Sequence, residues 1–277
     1  MRFFLALYLP LIVAYGDTFV WMRDRWADGE YYSHGPLLVI VAAAIIVFRR
    51  STWGNIESGI DPRGWWFLGL GLFLRFCGAA QMVDSLSAAS LLFSLIGVVL
   101  LSAGAGRLRY FLPVIFLLLL ATPMPINIVD KLAFELKEVA IETSMSIGNL
   151  FGLGAQRIGA AIDIPGQDLH LPVADACGGL RSLLALTSLG YCLAFFMGSP
   201  HWGRRLVILL ITVPAAVMVN VIRIVGLCFM AKHVNIYYAG GAGHTILNVV
   251  AWIMNIAILM SVDAFLERRL RSRGRVD

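Results

Sequence analysis

Long apolar runs separated by short polar segments are the dominant pattern of this chain. A bilayer crossing takes about 20 apolar residues, or fewer where flanking side chains snorkel. On that measure eight runs predict transmembrane helices: 3–22, 35–48, 65–80, 86–103, 108–120, 180–197, 206–231 and 245–265, the second and fifth being the shortest. Trp53, Trp65, Trp66 and Trp202 fall near the ends of these runs, where an aromatic belt belongs. The first run follows Met1-Arg2, contains Pro10 and has no small-x-small cleavage site, so it reads as an uncleaved span.

The connection between the fifth and sixth spans, about 123–178, differs in kind. Pro123-Met124-Pro125 ends the fifth span, because proline removes a donor and restricts the residue before it. Ile128, Leu132, Leu136, Val139 and Thr143 then recur at helical spacing among Asp130, Lys131, Glu135, Lys137, Glu138 and Glu142. That pattern predicts a helix lying in the membrane interface. Loose alternation from Ile158 to Val173 around Pro165-Gly166-Gln167 predicts a small hairpin, which delivers the chain to Asp175-Ala-Cys177-Gly-Gly-Leu-Arg181. The expected fold is all-α and polytopic, a single domain over 1–277 with no internal repeat.

Composition agrees with this picture. Hydrophobic residues make up 59% and charged residues 14%, with a mean hydropathy of +0.81, far from the balance of a soluble domain. The net charge of +5 does not point to nucleic acid, because the arginines cluster at the ends of apolar runs and in the basic tail. With eight spans and both termini on one side, that side collects thirteen lysines and arginines, five of them in the tail from Arg268 to Arg275. The opposite side collects six: Arg23, Arg25, Lys131, Lys137, Arg157 and Lys232. Arg75, Arg181 and Arg223 remain within spans or at their ends. The positive-inside rule therefore places both termini in the cytoplasm and the 123–178 connection outside.

Candidate chemistry gathers at that outer face. Of the four cysteines, Cys77, Cys192 and Cys228 lie inside apolar runs and read as packing, whereas Cys177 sits between Asp175 and two glycines. At the start of the sixth span, free N–H groups and the positive dipole end favour a thiolate, with Asp175 as a candidate N-cap. Gly178 and Gly179 leave backbone N–H groups open to an oxyanion, and Arg181, one helical turn on, stands close enough to stabilise the thiolate. Arg223 lies about 17 residues, or ~25 Å, along the seventh span, which brings it to the same face. A charge there is costly and implies a task. Asn220 shares its side of the helix and is expected to orient it. His244 precedes the eighth span and supplies a base that titrates near neutral pH, with Asn248 one turn later to fix its ring. His34 is a rival base, read mainly as a cap before Gly35-Pro36, and Arg75 is expected to snorkel outward. His170, His201 and His233 share no loop or ligand spacing, so no metal site is expected.

These residues resemble a known family. Pro123-Met-Pro125, Asp175-Ala-Cys-Gly-Gly-Leu-Arg-Ser182, Asn220-Val-Ile-Arg-Ile224, His244 and Tyr32-Ser-His-Gly35 look like the exosortases, bacterial members of the exosortase/archaeosortase group of membrane cysteine transpeptidases. The resemblance implies catalytic roles for Cys177, Arg223 and His244. It also implies exported protein substrates bearing a short C-terminal motif, a membrane helix and a basic tail. Gly178 stands where many relatives carry Ser, so no role for that hydroxyl carries over.

The expectation is therefore an inner-membrane enzyme that needs no cofactor and whose active site faces the periplasm. Its partners would be its protein substrates, the surrounding lipids and an acceptor, polysaccharide or lipid-linked. Two alternatives accompany it. One is a simple membrane cysteine protease that gives the acyl group to water. The other is a multi-span transporter with Arg223 as an anion site, disfavoured by the lack of inverted repeats and of paired carboxylates at the midplane.

Overall fold

A computed structural model describes the chain except residues 1, 30, 57–58, 160, 165–170, 173–178, 235–238, 240 and 274–277. It is mostly helical and falls into two compact units, Met1–Ile126 and Asn127–Asp277.

In the first unit, the helices are α1 (Arg2–Ala14), α2 (Gly16–Ala27), α3 (Gly35–Phe48), α4 (Arg50–Gly54), α5 (Gly64–Ala80) and α6 (Asp84–Ala121). The predicted first span is two helices that meet at Tyr15. Hydrogen bonding continues across the joint, from Tyr15 N–H to Leu11 and from Phe19 N–H to Tyr15. The Tyr15 hydroxyl anchors this joint to α5 and α6: it reaches Ser90 Oγ at 2.8 Å, Ser94 Oγ at 2.9 Å and the Gly71 carbonyl at 3.3 Å.

The helical pair α5–α6 organises this unit. Lipid is as apolar as leucine, so membrane helices associate where small residues let backbones approach. Gly64, Gly71 and Gly78 recur every seven residues along α5 and lie against Gly97, Ser94 and Ser87 in antiparallel order. A Cβ at Gly71 would lie 2.6 Å from the Ser94 backbone nitrogen, and one at Gly64 would lie 2.6 Å from the Gly97 carbonyl oxygen. Predicted spans 86–103 and 108–120 fall on the two limbs of α6, joined at Gly104 rather than by a loop. Gly104 has φ 78° and ψ 172°, a conformation open essentially to glycine alone.

Arg75 does not snorkel into water as expected. Its guanidinium, on a side chain only 13% exposed, bonds Asp17, the Ala14 carbonyl and Ser87. Intramolecular acceptors are nearer than solvent. At the far end of α6, Met124 carries the single backbone N–H of the Pro123-Met-Pro125 segment, and the Tyr32 hydroxyl accepts it at 3.1 Å. The Trp26 indole donates to the Ala121 carbonyl, and Gly35 packs so close to its ring that no side chain fits there.

In the second unit, the elements are α7 (Ile126–Leu150), β1 (Gln156–Ile158), β2 (Ala161–Asp163), β3 (Leu171–Pro172), α8 (Leu180–Phe196), α9 (Trp202–His233) and α10 (Ala242–Arg273). The strands of the predicted hairpin pair as β2–β3, with Ile162 opposite Leu171, and its Pro165-Gly166-Gln167 turn lies outside the described residues. A further strand, β1, escaped the sequence reading and pairs with β2 through Arg157↔Ile162. Helix α7 forms as predicted, but its buried face is Val129, Ala140, Ile141, Ser144 and Gly148, while Ile128, Leu132 and Val139 stay exposed. The two apolar stripes differ in burial because Ala140, Ser144 and Gly148 are small enough for close packing. Ala140 and Ile141 of that face, Ile162 and Ile164 of the sheet region, and Ile224, Leu227 and Cys228 of α9 form one core. Glu138 on α7 and Arg157 on β1 pair at 2.5 Å, and the guanidinium holds the Glu138 carboxyl below the usual carboxylate range.

Among the described residues, α6, α9 and the stretch Ala242–Ser272 of α10 are long and apolar enough to cross a membrane. Helices α3, α5 and α8 are shorter apolar helices. The chain is a polytopic helical membrane protein.

Candidate functional site

Helix α8 begins at Leu180, and its N-cap is Gly179, not Asp175. Gly179 is left-handed, with φ 83°, and a Cβ there would meet Asn220 Nδ2 at 2.7 Å. Both constraints demand glycine. In sequence, Cys177 stands three residues before the first residue of α8, and Arg181 is the second residue of that helix. Asp175, Cys177 and Gly178 themselves lie outside the described residues, as does His170.

Arg223 is 4% exposed, in the apolar stretch of α9. Its Nη1 donates to the amide oxygen of Asn248 at 2.9 Å. That bond corrects the expected role of Asn248: it holds the arginine of the neighbouring helix instead of the imidazole on its own. His244, half-buried in the first turn of α10, is near enough for the charge on Arg223 to act on it. Asn220 lies one turn before Arg223 on α9 and turns its amide to Gly179, so it ties α9 to the start of α8. The structure thus gathers Gly179, Asn220, Arg223, His244 and Asn248 around three helices of one unit.

Sequence reasoning missed part of the lining. A small cavity with room for about one water is bounded by Ser182, Asn220, Arg223, Trp252 and Asn255. Asn255 is 5% exposed and bonds the Ala251 carbonyl. Its signal was available, as an amide inside the apolar run Ala251-Trp-Ile-Met-Asn255-Ile. His34 is placed as the residue before α3, but it makes no side-chain capping bond. Both its ring nitrogens are buried without a hydrogen-bond partner among the described residues, and burial pushes the imidazole below its ordinary pKa. No cluster of metal-ligating side chains occurs among the described residues.

A bundle of apolar helices that buries an arginine beside a histidine, next to the glycine that starts another helix, defines a membrane protein with a polar site built between its spans. A family model described as transmembrane exosortase matches residues 26–261, and the chain belongs to that family. No curated protein matches it, and no solved structure does.

Proposed function

We propose that the protein is a membrane cysteine transpeptidase that cleaves the C-terminal sorting signal of exported proteins and transfers them to an acceptor. The observation that carries this reading is the buried Arg223, held by Asn248 and beside His244, on the helix whose Asn220 packs against Gly179. Gly179 is two residues from Cys177 in sequence.

In this mechanism the Cys177 thiolate adds to a peptide carbonyl of the substrate. Arg223 and backbone N–H groups stabilise the oxyanion that forms. The C–N bond then breaks, His244 protonates the departing amine, and a thioester remains on Cys177. His244 next takes the proton of the acceptor nucleophile, which displaces the thiolate as the C–S bond breaks. Water in place of the acceptor would give plain hydrolysis by the same residues. The thirteen-to-six distribution of basic residues supports cytoplasmic termini and a site at the periplasmic face of the inner membrane.

The test is to isolate the full-length Cys177→Ala protein from its native membrane and identify what copurifies by mass spectrometry. The expected partner is an uncleaved exported protein with a C-terminal apolar segment and basic tail. Cys177→Ser should be nearly as inactive, whereas Cys77→Ala, Cys192→Ala and Cys228→Ala should cleave normally. Cleavage that survives Cys177→Ala would end the proposal.

A further inference from the structure

Arg204 is one of the thirteen basic residues that the positive-inside count assigns to the cytoplasmic side, two residues before the predicted seventh span. It is 2% exposed, in the first turn of α9. Its Nε donates to Asp263 at 2.6 Å and lies 3.1 Å from Glu267, both on α10. Its Nη1 donates to the Ser199 carbonyl at 3.1 Å, and its Nη2 to the Leu193 carbonyl at 3.2 Å, near the end of α8. Glu267 also accepts the Ser199 N–H at 2.6 Å. Gly198, at φ 64°, passes so close that a Cβ would overlap the Arg204 guanidinium.

This node repeats, at the other end of the same two helices, the arrangement around Arg223. Arg204 faces Asp263 and Glu267, four residues apart on α10. Arg223 bonds Asn248, and its charge acts on His244, four residues earlier on α10. From Arg204 to Arg223 is 19 residues of α9, and from His244 to Asp263 is 19 residues of α10. In an antiparallel pair, equal spacing on both helices puts the two rungs in one register. A slip of one turn would move Arg223 about 5.4 Å from its partners.

The apolar surface between the rungs does not resist such a slip strongly, since lipid can replace those contacts at little cost. A buried arginine saturated by two carboxylates and backbone carbonyls does resist it. Moving the arginine would leave buried charges unpaired, which is strongly destabilising. We infer that Arg204, through Asp263 and Glu267, is a positioning residue that sets the register of α9 against α10 and so holds Arg223 level with His244. The catalytic consequence rests on the roles proposed for Arg223 and His244, but the register does not.

The register can be read by cross-linking, independently of activity. At Gly226 of α9, a Cβ would lie 3.4 Å from a methyl carbon of Leu247 on α10. In the full chain with Cys77, Cys177, Cys192 and Cys228 replaced by alanine, Gly226→Cys/Leu247→Cys should oxidise to a disulfide roughly tenfold faster than Gly226→Cys/Ala251→Cys, which is one turn out of register. Replacing the whole rung with apolar side chains (Arg204→Met/Asp263→Leu/Glu267→Leu) removes the charges together, which buried ion networks tolerate. The two cysteine pairs should then cross-link at similar rates. Asp263→Asn keeps Glu267 as counter-charge, preserves the fold and should reduce the preference to about threefold. An unchanged tenfold preference in either variant would overturn the inference. A lost preference with full turnover, measured with the native cysteines present, would leave the register role standing and strike the proposed roles of Arg223 and His244.

Discussion

Asn248 and Arg223 stand on different helices and share one hydrogen bond, Nη1 to amide oxygen at 2.9 Å. The bond fixes one side of a guanidinium that is otherwise buried in an apolar span. The charge of the same arginine also acts on His244, in the first turn of α10.

Removing that acceptor should cost rate more than stability. Hydrogen bonds to charged groups contribute about 1.5–3 kcal/mol, so Asn248→Leu should lower turnover roughly 10- to 100-fold while KM stays near wild type. Asn248→Asp retains an acceptor and should lose less. Steady-state kinetics on the proposed substrate decides it. An equal loss in both variants would mean that the amide itself, and not its hydrogen bond to Arg223, matters.

In the proposed mechanism Arg223 and His244 have separable tasks. Lysine keeps the charge of Arg223 but not its planar fork, so Arg223→Lys should lose on the order of 10²-fold in turnover. His244→Ala should cost a comparable factor and also change the pH profile. Iodoacetamide labelling of Cys177 against pH tells them apart. If imidazolium supports the thiolate, His244→Ala slows labelling near neutral pH, and Arg223→Lys does so less. The reverse ranking would assign the thiolate's stabilisation to the arginine.

The α5–α6 interface makes a prediction with an internal control. Gly71 has a serine backbone within 2.6 Å of where a Cβ would stand, whereas Gly69, two residues away, has nothing within 4 Å. Gly71→Val should destabilise the fold by about 1–3 kcal/mol, because backbone must shift to admit it. Gly69→Val should be close to neutral by the same thermal-unfolding measurement in detergent. Equal effects would refute the close-packed seam.

His34 should make stability depend on pH. Burial lowers its pKa in the fold, so the unfolded chain binds the proton more readily. Its contribution to stability is therefore complete above the unfolded value of about 6.5 and falls as pH drops through the window below it. The wild-type unfolding temperature should decline as pH falls below about 6.5, and His34→Phe, which retains an aromatic ring beside Tyr32, should flatten that decline. An identical slope in both proteins would show that another group titrates.

Much of the fold was legible because it is local. A bilayer span is a property of consecutive residues, so the run 35–48 matches α3 residue for residue and 65–80 matches α5 within one residue. Proline ended α6 where expected, since its missing donor acts on its own neighbours. The break at Gly104 was read as a loop because two helical limbs joined at one glycine and two joined by a short turn have the same apolar profile. On α7, helical spacing identified the helix but not which of two apolar stripes faces protein, which depends on the partners that pack there.

The site divides along the same line. By itself the sequence determined which residues are chemically out of place: a cysteine beside two glycines, an arginine and an asparagine within one apolar run, a histidine at the head of another. Such mismatches between residue and surroundings are visible without coordinates, because placing charge or amide in a lipid span is costly anywhere. Partnership was decided only by the tertiary structure. Asn248 bonds an arginine 25 residues away and not the imidazole four residues away, and Arg204, for sequence only a basic residue at a span end, bonds a carboxylate 59 residues along the chain. A buried donor takes the acceptor that the packing of helices brings within about 3 Å, and sequence separation has no bearing on which acceptor that is.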